Sequence, residues 1–297
     1  MAKIVECVPN ISEGVNTDTI EKCVDQIRST AGCTLLQHTS DPSHNRTVIT
    51  FIGDPEAVIE AGVKLAKKTA ELIDLTKHKG AHPRMGCVDV IPFIPIREMT
   101  MEECIGLSRA AGKRIFEESG LPVFLYEDSA SAPHRRNLAS IRKGQFEGMA
   151  EKVKDPDWRP DFGGPGIHPT GGVVAVGARP PLIAYNINLN TPDIEIATKI
   201  AKSIRQADGG LSNVKAIGVA LAERGLAQVS INMTDFTKTP LYRVTELVKA
   251  EAAGYGATVV GTEIIGLCPM AALIDTAAYY LMIENFDSSV QVIENHL

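Results

Sequence analysis

The chain has 297 residues, of which 44% are hydrophobic, and a formal net charge of −6. This length favours two domains of roughly 150 residues each, and the acidic balance argues against nucleic acid as a partner. The sequence has no run of ~18 apolar residues that could span a membrane, no apolar segment of a signal peptide and no CxxC pair among its scattered cysteines. We therefore expect a cytoplasmic protein that binds neither membranes nor nucleic acid.

Strand and helix patterns alternate through residues 4–126. Pro92 within one predicted strand favours an edge position or a bulge, and Thr100 with Glu103 predicts a capping box at the start of a helix. The predicted strands are Ile4–Pro9, Thr34–Thr39, Arg46–Gly53, Val88–Ile96 and Val123–Tyr126, and the predicted helices are Thr17–Thr30, Pro55–Leu75 and Thr100–Ser119.

A polar segment rich in glycine and proline follows, from residue 129 to residue 181. It contains a predicted helix at Glu147–Lys154 and a long loop at Asp161–Gly172, which leads into a predicted strand at Val173–Ala178. A loop of this length in a compact protein is usually functional or disordered. The strand that follows it favours the functional interpretation.

The last third of the chain has the order strand, helix, strand, strand, helix, strand, which is typical of ferredoxin-like folds. These elements are predicted at Leu182–Leu189, Pro192–Gln206, Val214–Leu221, Ala227–Met233, Pro240–Gly254 and Thr258–Ile265, with a further helix at Met270–Met282. The first part of the chain begins with a related order. The sequence therefore predicts an α+β fold of two ferredoxin-like-related α/β subdomains, residues 1–180 and 181–297, with mixed or antiparallel sheets packed by helices.

The segment His78–Gly86 reads HKGAHPRMG and concentrates reactive groups in one short stretch. Its two glycines and Pro83 exclude a regular helix or a central strand, so the histidines lie on a shaped loop. Histidine exchanges a proton near neutral pH, and Lys79 and Arg84 would attract an anionic substrate. The pattern predicts a binding or catalytic site.

Several segments, in order along the chain, resemble the formiminotransferase domain of glutamate formimidoyltransferases, the folate enzymes of histidine degradation. The HKGAHPRMG loop is the most specific of them. The others are VECVPNISEG at 5–14, NRTV at 45–48, VDVIPFIP at 88–95, DWRPDFG at 157–163, IAYNINL at 183–189 and AQVSIN at 227–232.

The resemblance implies transfer of a formimino group between tetrahydrofolate, as co-substrate, and L-glutamate, by a homodimer that needs no metal. It implies that His82 carries out the catalytic proton transfers, and that the next step, ring closure with ammonia loss, belongs to a separate cyclodeaminase. Glycines without side chains would let a flat pterin approach the backbone. The folate-binding segment implied by the resemblance is Gly163, Gly164, Pro165, Gly166, Ile167, His168, Pro169, Thr170, Gly171 and Gly172.

Folate and glutamate both carry carboxylates, which suit the bidentate guanidinium group of arginine. We expect Arg46, Arg84 and the point charge of Lys79 to bind substrate. Further candidates are Arg135, Arg136 and Arg179. Animal members of the family have an aspartate near position 39, where this chain has Thr39, and the nearest carboxylate here is Asp41.

Structural alternatives accompany these assignments. His82 could instead bond a backbone carbonyl, His78 could orient His82, bind substrate or be exposed, and the glycine-rich segment could be a surface lid. Arg135 and Arg136 could lie on a solvated helix face. A zinc site is not expected because the HExxH helix is absent. A nucleotide is not expected because the glycine run lacks the P-loop lysine.

Two alternatives within the family keep the chemistry and change the ligand. The donor could be 5-formyltetrahydrofolate, giving a glutamate formyltransferase, or the acceptor could be glycine. An alternative of another class is a non-catalytic folate-binding protein. The histidine loop argues against that alternative, because tight binding alone does not require a titratable group.

Overall fold

The computed structural model describes residues 2–296, which form two compact units. The first unit ends at Arg179 and the second begins at Pro180. The helices and strands of the first unit are β1 (Ile4–Cys7), β2 (Asn10–Ile11), α1 (Thr17–Arg28), β3 (Cys33–Asp41), β4 (Arg46–Gly53), α2 (Pro55–Leu72), β5 (Val88–Arg97), α3 (Met101–Ser119), β6 (Val123–Glu127), α4 (Leu138–Arg142), α5 (Gln145–Lys152) and β7 (Val174–Ala178).

A mixed sheet forms the centre of the first unit. Over the described residues it has seven strands, in the order β3, β4, then β1 and β2 in line, β5, β7 and β6. β7 is parallel to both of its neighbours. Side chains alternate between the faces of a strand. Ile91 accordingly joins the core formed with α1, α2 and α3, and Val90 joins a second core with Ile141 of α4 and Met149 of α5. Helices therefore cover both faces of this sheet.

The predicted edge position of Pro92 is wrong. β5 is a central strand, with β1 and β2 on one side and β7 on the other. Cys7 pairs with Phe93 and Asn10 pairs with Val90, so the interruption between β1 and β2 lies opposite Pro92. A proline that lacks an N–H is tolerated here because the neighbouring strand offers no continuous ladder at that point.

The start of α3 matches its local sequence signal. Thr100 is the N-cap, its side chain accepts from the N–H of Glu103, and the Glu103 carboxylate accepts from the N–H of Thr100. The predicted capping box is confirmed. Gly120, with φ +72°, ends the helix in the left-handed conformation that favours glycine.

The second unit has the ferredoxin-like topology that its element order predicted. Between Pro180 and His296 its sheet has four strands in the order β11, β8, β10, β9, all antiparallel. The predicted α+β class with two related subdomains is thereby confirmed. The elements are β8 (Ile183–Leu189), α6 (Ile194–Ile204), β9 (Val214–Leu221), β10 (Leu226–Met233), α7 (Leu241–Gly254), β11 (Val259–Ile265), α8 (Met270–Tyr280) and α9 (Ser288–Gln291).

The second unit has an apolar core of its own, built from one face of its sheet and from α6 and α7. Ile187 and Val229 of the sheet, Ile200 of α6 and Val248 of α7 are fully buried in it. None of the described helices in either unit combines the length and the apolar character that crossing a bilayer requires.

Candidate active site

The histidine loop, His78–Gly86, lies against the turn that joins β3 to β4. A Cβ atom at Gly80 would lie 2.4 Å from the backbone oxygen of His44 in that turn, so the close approach requires glycine. The side-chain amide of Asn45 donates to the carbonyl of Lys79 at 2.9 Å. These contacts fix the first half of the loop.

Neighbouring groups hold His78 and Arg84 in place. His78 Nε2 lies 2.9 Å from the carbonyl oxygen of Asn45, and Arg84 Nε donates to His78 Nδ1 at 3.2 Å. A carbonyl only accepts and a guanidinium only donates, so the Nε2–H tautomer of His78 fits both contacts. Arg84 also donates to the two carboxylate oxygens of Glu147, at 2.6 and 2.9 Å, and to Gln145 at 3.1 Å. Its guanidinium already has a bidentate carboxylate partner.

His82 is 7% exposed and faces a buried carboxylate. Its Nε2 atom lies 3.7 Å from Oδ2 of Asp89, a residue with no exposed surface. This distance exceeds that of a hydrogen bond, and Nε2 is a buried atom without a hydrogen-bond partner. The ring therefore has one nitrogen directed toward a carboxylate without yet bonding it.

Two donors hold Asp89 in place on β5. The Met85 N–H donates to Oδ1 at 2.7 Å, Arg142 Nε donates to Oδ2 at 2.7 Å, and Arg142 Nη2 lies 2.5 Å from Oδ2. Burial by itself raises the pKa of Asp89, but His82, the Arg142 cation and the Met85 N–H together hold this pKa below its usual value. Asp89 is therefore an anion at neutral pH.

Arg46, the first residue of β4, belongs to the same group of charges. Burial lowers the pKa of Arg46 and the nearby Arg142 cation lowers it further, whereas Asp41 and Asp89 raise it. Its Nε atom is buried and has no hydrogen-bond partner. A ligand carboxylate would satisfy such a nitrogen.

The glycine-rich segment, Gly163–Gly172, has a packed end and an open end. His168 and Gly172 exchange two backbone hydrogen bonds of 2.9 Å, and a Cβ atom at Gly172 would lie 2.1 Å from the carbonyl oxygen of Met85. By contrast, a Cβ placed at Gly164 or Gly166 would have no described atom within 4 Å beyond its own residue and its two chain neighbours. The packed end supports the histidine loop, and the open end has room for a ligand.

A cavity of about 450 Å³ opens beside the histidine loop. It is shallow and open to solvent. His82 does not line the cavity, but its neighbour Pro83 does, and Arg142 connects the cavity to Asp89. The lining residues are Pro83, Ala139, Ser140, Arg142, Lys143, Gly144 and Gln145.

Comparison with known proteins identifies the family. The model of the formiminotransferase domain, N-terminal subdomain, matches residues 4–179, and that of the formiminotransferase domain matches residues 184–296. This chain belongs to the formiminotransferase family. Its resemblance to that family, first seen in the histidine loop, is confirmed.

Individual relatives of this formiminotransferase-family chain match all or nearly all of it. A glutamate formimidoyltransferase of Streptococcus pyogenes is 55% identical over 100% of this chain and 99% of its own length. One of Thermoplasma acidophilum is 47% identical over 96% of this chain and 94% of its own length. A formimidoyltransferase-cyclodeaminase of Gallus gallus is 47% identical over 95% of this chain, which corresponds to 53% of the longer protein.

The remaining cations predicted for this formiminotransferase-family site have different surroundings. Lys79 is exposed and forms no ion pair within residues 2–296. Arg135 is buried and donates to the carbonyl of Asp157 at 2.7 Å and to the Asp161 carboxylate at 3.2 Å. Arg136 is exposed and paired with Asp128 at 2.7 Å. Arg179 is close enough to Glu6 to lower its pKa, although burial raises that pKa more.

Asp41 bonds a neighbour in its own turn rather than His82. Its Oδ2 lies 2.6 Å from Nδ1 of His44, and its Oδ1 accepts from the His44 N–H at 3.0 Å. These contacts lower the pKa of Asp41, the backbone hydrogen bond most of all. In the described part of the chain, no cluster of three or more histidine, cysteine, aspartate or glutamate side chains could hold a metal ion.

Sequence reasoning missed three residues that the structure brings to this candidate site: Asp89, Arg142 and Glu147. Asp89 had a local signal, because it is the one charged residue in the apolar run VDVIPFIP, and a buried charge usually has a partner or a function. Arg142 had none, since it follows its partner by 53 residues. Glu147 likewise follows Arg84 by 63 residues.

Proposed function

We propose that this chain transfers a formimino group between 5-formiminotetrahydrofolate and L-glutamate, in one-carbon folate metabolism and histidine degradation. It does so as a cytoplasmic homodimer, and a separate cyclodeaminase acts on the folate product. The names of its full-length relatives support the reaction. One observation links this reaction to particular residues: the His82 imidazole faces the buried Asp89 carboxylate and belongs to the same loop as the cations Lys79 and Arg84.

The reaction requires two proton transfers at one place. The amine of glutamate attacks the formimino carbon and loses a proton, and N5 of the pterin then takes a proton as its bond to that carbon breaks. One imidazole between the two nitrogens can accept the first proton and donate the second, which typically contributes ~10²–10⁴-fold in rate. Pro83 stiffens the backbone next to His82 and favours a fixed ring position.

The cations around His82 suit two carboxylate-bearing substrates. Arg46 has a buried nitrogen without a partner, and we assign it to a substrate carboxylate. Exposed Lys79 adds a point charge at the rim. Arg84 bonds Glu147 in the free protein, so its contribution to the substrate is a neighbouring positive charge unless Glu147 moves.

The open end of the glycine-rich segment supports a role in folate binding. Exposed Gly164 and Gly166 have no neighbours where a Cβ would lie, so a flat ring can approach their backbone. We assign the pterin to this end. The packed end, His168–Gly172, holds the histidine loop in position.

Substitution of His82 by alanine tests this function against a folate-binding protein without activity. We expect His82→Ala to lower turnover of N-formimino-L-glutamate with tetrahydrofolate at least ~100-fold, while folate still binds. His134 is an exposed histidine that contacts the carbonyl of Asp157 at 2.9 Å, and His134→Ala is the matched control with unchanged turnover. Equal turnover in wild type and His82→Ala would refute the assignment. The same assay with 5-formyltetrahydrofolate and with glycine identifies the donor and the acceptor.

A further inference from the structure

We propose that Asp89 is the positioning residue of His82, and that the nitrogen exchanging protons with substrate is Nδ1. In this arrangement Nε2–H of His82 faces the Asp89 carboxylate, and the lone pair of Nδ1 faces the reacting nitrogens. The inference rests on the proposed function, since it assigns roles to the two sides of the same imidazole.

The carboxylate is fixed before substrate arrives. Asp89 has no exposed surface, and it accepts hydrogen bonds of 2.7 Å from Met85 N–H on one oxygen and from Arg142 on the other. Met85 follows His82 by three residues in the same loop, so the loop that carries the imidazole also orients its carboxylate. A charge held in this way needs no reorganisation during the reaction.

The two ring nitrogens of His82 differ in their surroundings. Nε2 is buried, unpartnered and 3.7 Å from Oδ2 of Asp89. Nδ1 makes no hydrogen bond to any described residue and is not among the buried unpartnered atoms, so it is the nitrogen accessible from outside. A buried donor without an acceptor is costly, and contacts of this kind commonly tighten when substrate binds. We expect the contact between Nε2 and Asp89 to shorten to hydrogen-bond distance in the substrate complex.

Other charged groups surround this pair. Arg142 of α4 bonds Asp89 directly. Arg46 of β4 lies near Arg142, Asp89 and Asp41. Asp89 is therefore the negative group that faces the His82 ring. Loss of the Asp89 charge would make the imidazolium harder to form.

The proton balance follows from this geometry. As the carbon–nitrogen bond to glutamate forms, the amine proton moves to Nδ1 and His82 becomes an imidazolium opposite the Asp89 anion. As the bond between the carbon and N5 breaks, Nδ1 returns that proton to N5. Asp89 stays ionised throughout and orients the ring, the role of the carboxylate in a Ser–His–Asp triad.

The test combines a tautomer measurement with a pH profile. In wild-type protein labelled with ¹⁵N-histidine, the signals lost in His82→Gln identify His82. At neutral pH we expect its Nε2 to carry the proton and its Nδ1 to be bare. The Asp89→Asn variant keeps the size of the side chain but removes its negative charge and one of its two acceptor oxygens, so residue 89 no longer orients the ring as the carboxylate does. We expect kcat to fall at least ~100-fold and the acidic limb of the pH–rate profile to move to lower pH.

Asp161→Asn is the matched control. Asp161 also accepts from a backbone N–H, that of Leu125 at 2.8 Å, and from an arginine, Arg135 at 3.2 Å, but it faces no histidine. We expect a comparable loss of thermal stability and no movement of the acidic limb. An Asp89→Asn enzyme with a wild-type pH profile, or a wild-type His82 protonated on Nδ1, would overturn the inference. If Asp89→Asn does not fold, the tautomer of His82 in the wild-type protein still tests the inference. Full activity in His82→Ala, in contrast, would refute the proposed function itself.

Discussion

Arg46 and His82 are the residues of the described chain whose buried side-chain nitrogens lack a hydrogen-bond partner. Folded proteins leave few such atoms, because each costs roughly 1–3 kcal/mol. Here both belong to the group of charges around Asp89. Two different partners would satisfy them in the mechanism proposed above: a substrate carboxylate for Arg46 Nε, and the Asp89 carboxylate for His82 Nε2.

Replacing Arg46 measures what its unpartnered nitrogen contributes. We expect Arg46→Gln to raise the KM for N-formimino-L-glutamate roughly 10- to 150-fold with little change in kcat, because a charge-assisted hydrogen bond contributes ~1.5–3 kcal/mol. Arg136 is exposed and paired with Asp128, so Arg136→Gln serves as the control with an unchanged KM. Steady-state kinetics with both variants decides, and an unaltered KM in Arg46→Gln would exclude Arg46 from the carboxylate site.

At the scale of elements, three segments contact the histidine loop, which ends just before β5. The histidine loop lies against the turn after β3. The packed end of the glycine-rich segment pairs with it, since Gly86 and Gly172 form a β-bridge. The start of α5 also contacts it, because the Phe146 N–H donates to the Arg84 carbonyl at 3.0 Å. The His82 backbone is therefore held from several sides at once.

Alanine substitutions at two glycines with nearly the same φ distinguish the cost of a steric clash from the cost of a left-handed backbone. Gly172 and Gly164 have φ of +72° and +71°, but only Gly172 would place a Cβ against backbone, 2.1 Å from the Met85 oxygen. We expect Gly164→Ala to lower the free energy of unfolding by ~1–2 kcal/mol, the cost of a left-handed alanine. Gly172→Ala should cost at least ~3 kcal/mol, because a backbone clash adds to that strain. Urea unfolding of both variants gives the values, and equal losses would contradict the packing argument.

At the scale of the whole molecule, each compact unit has its own apolar core and its own sheet. The candidate site described here lies in the first unit. The second unit completes a four-stranded ferredoxin-like sheet between residues 180 and 296. A unit with a closed set of strand pairings and a buried core meets the requirements of an independently folding domain.

The fragment 180–297, expressed by itself, should fold. We expect a mixed α/β circular dichroism spectrum and a single cooperative transition in urea, because its strands pair with one another and its core is internal. We expect no turnover from it, since His82 lies outside the fragment. A gradual, non-cooperative transition would show that the second unit depends on the first for its fold.

The sequence by itself determined the order and type of the elements in this protein. Hydrophobic periodicity, the Thr100–Glu103 capping box and the glycines and proline of the histidine loop act over a few residues, so they can be read locally. The composition of the histidine loop also identified His82 as the candidate acid–base group. Most predicted elements overlap those in the structure, with ends that differ by a few residues.

Only the tertiary structure decided what surrounds those residues. Pro92 lies in a central strand because the break between β1 and β2 falls opposite it. Asp89, rather than Asp41, faces His82, and Arg84 is occupied by Glu147. Each of these outcomes depends on groups from other strands, loops or helices, and strand register and long-range ion pairs leave no pattern in the local sequence. The chemistry of the site was therefore visible in the types of its residues, while its partners were set by the packing of distant segments.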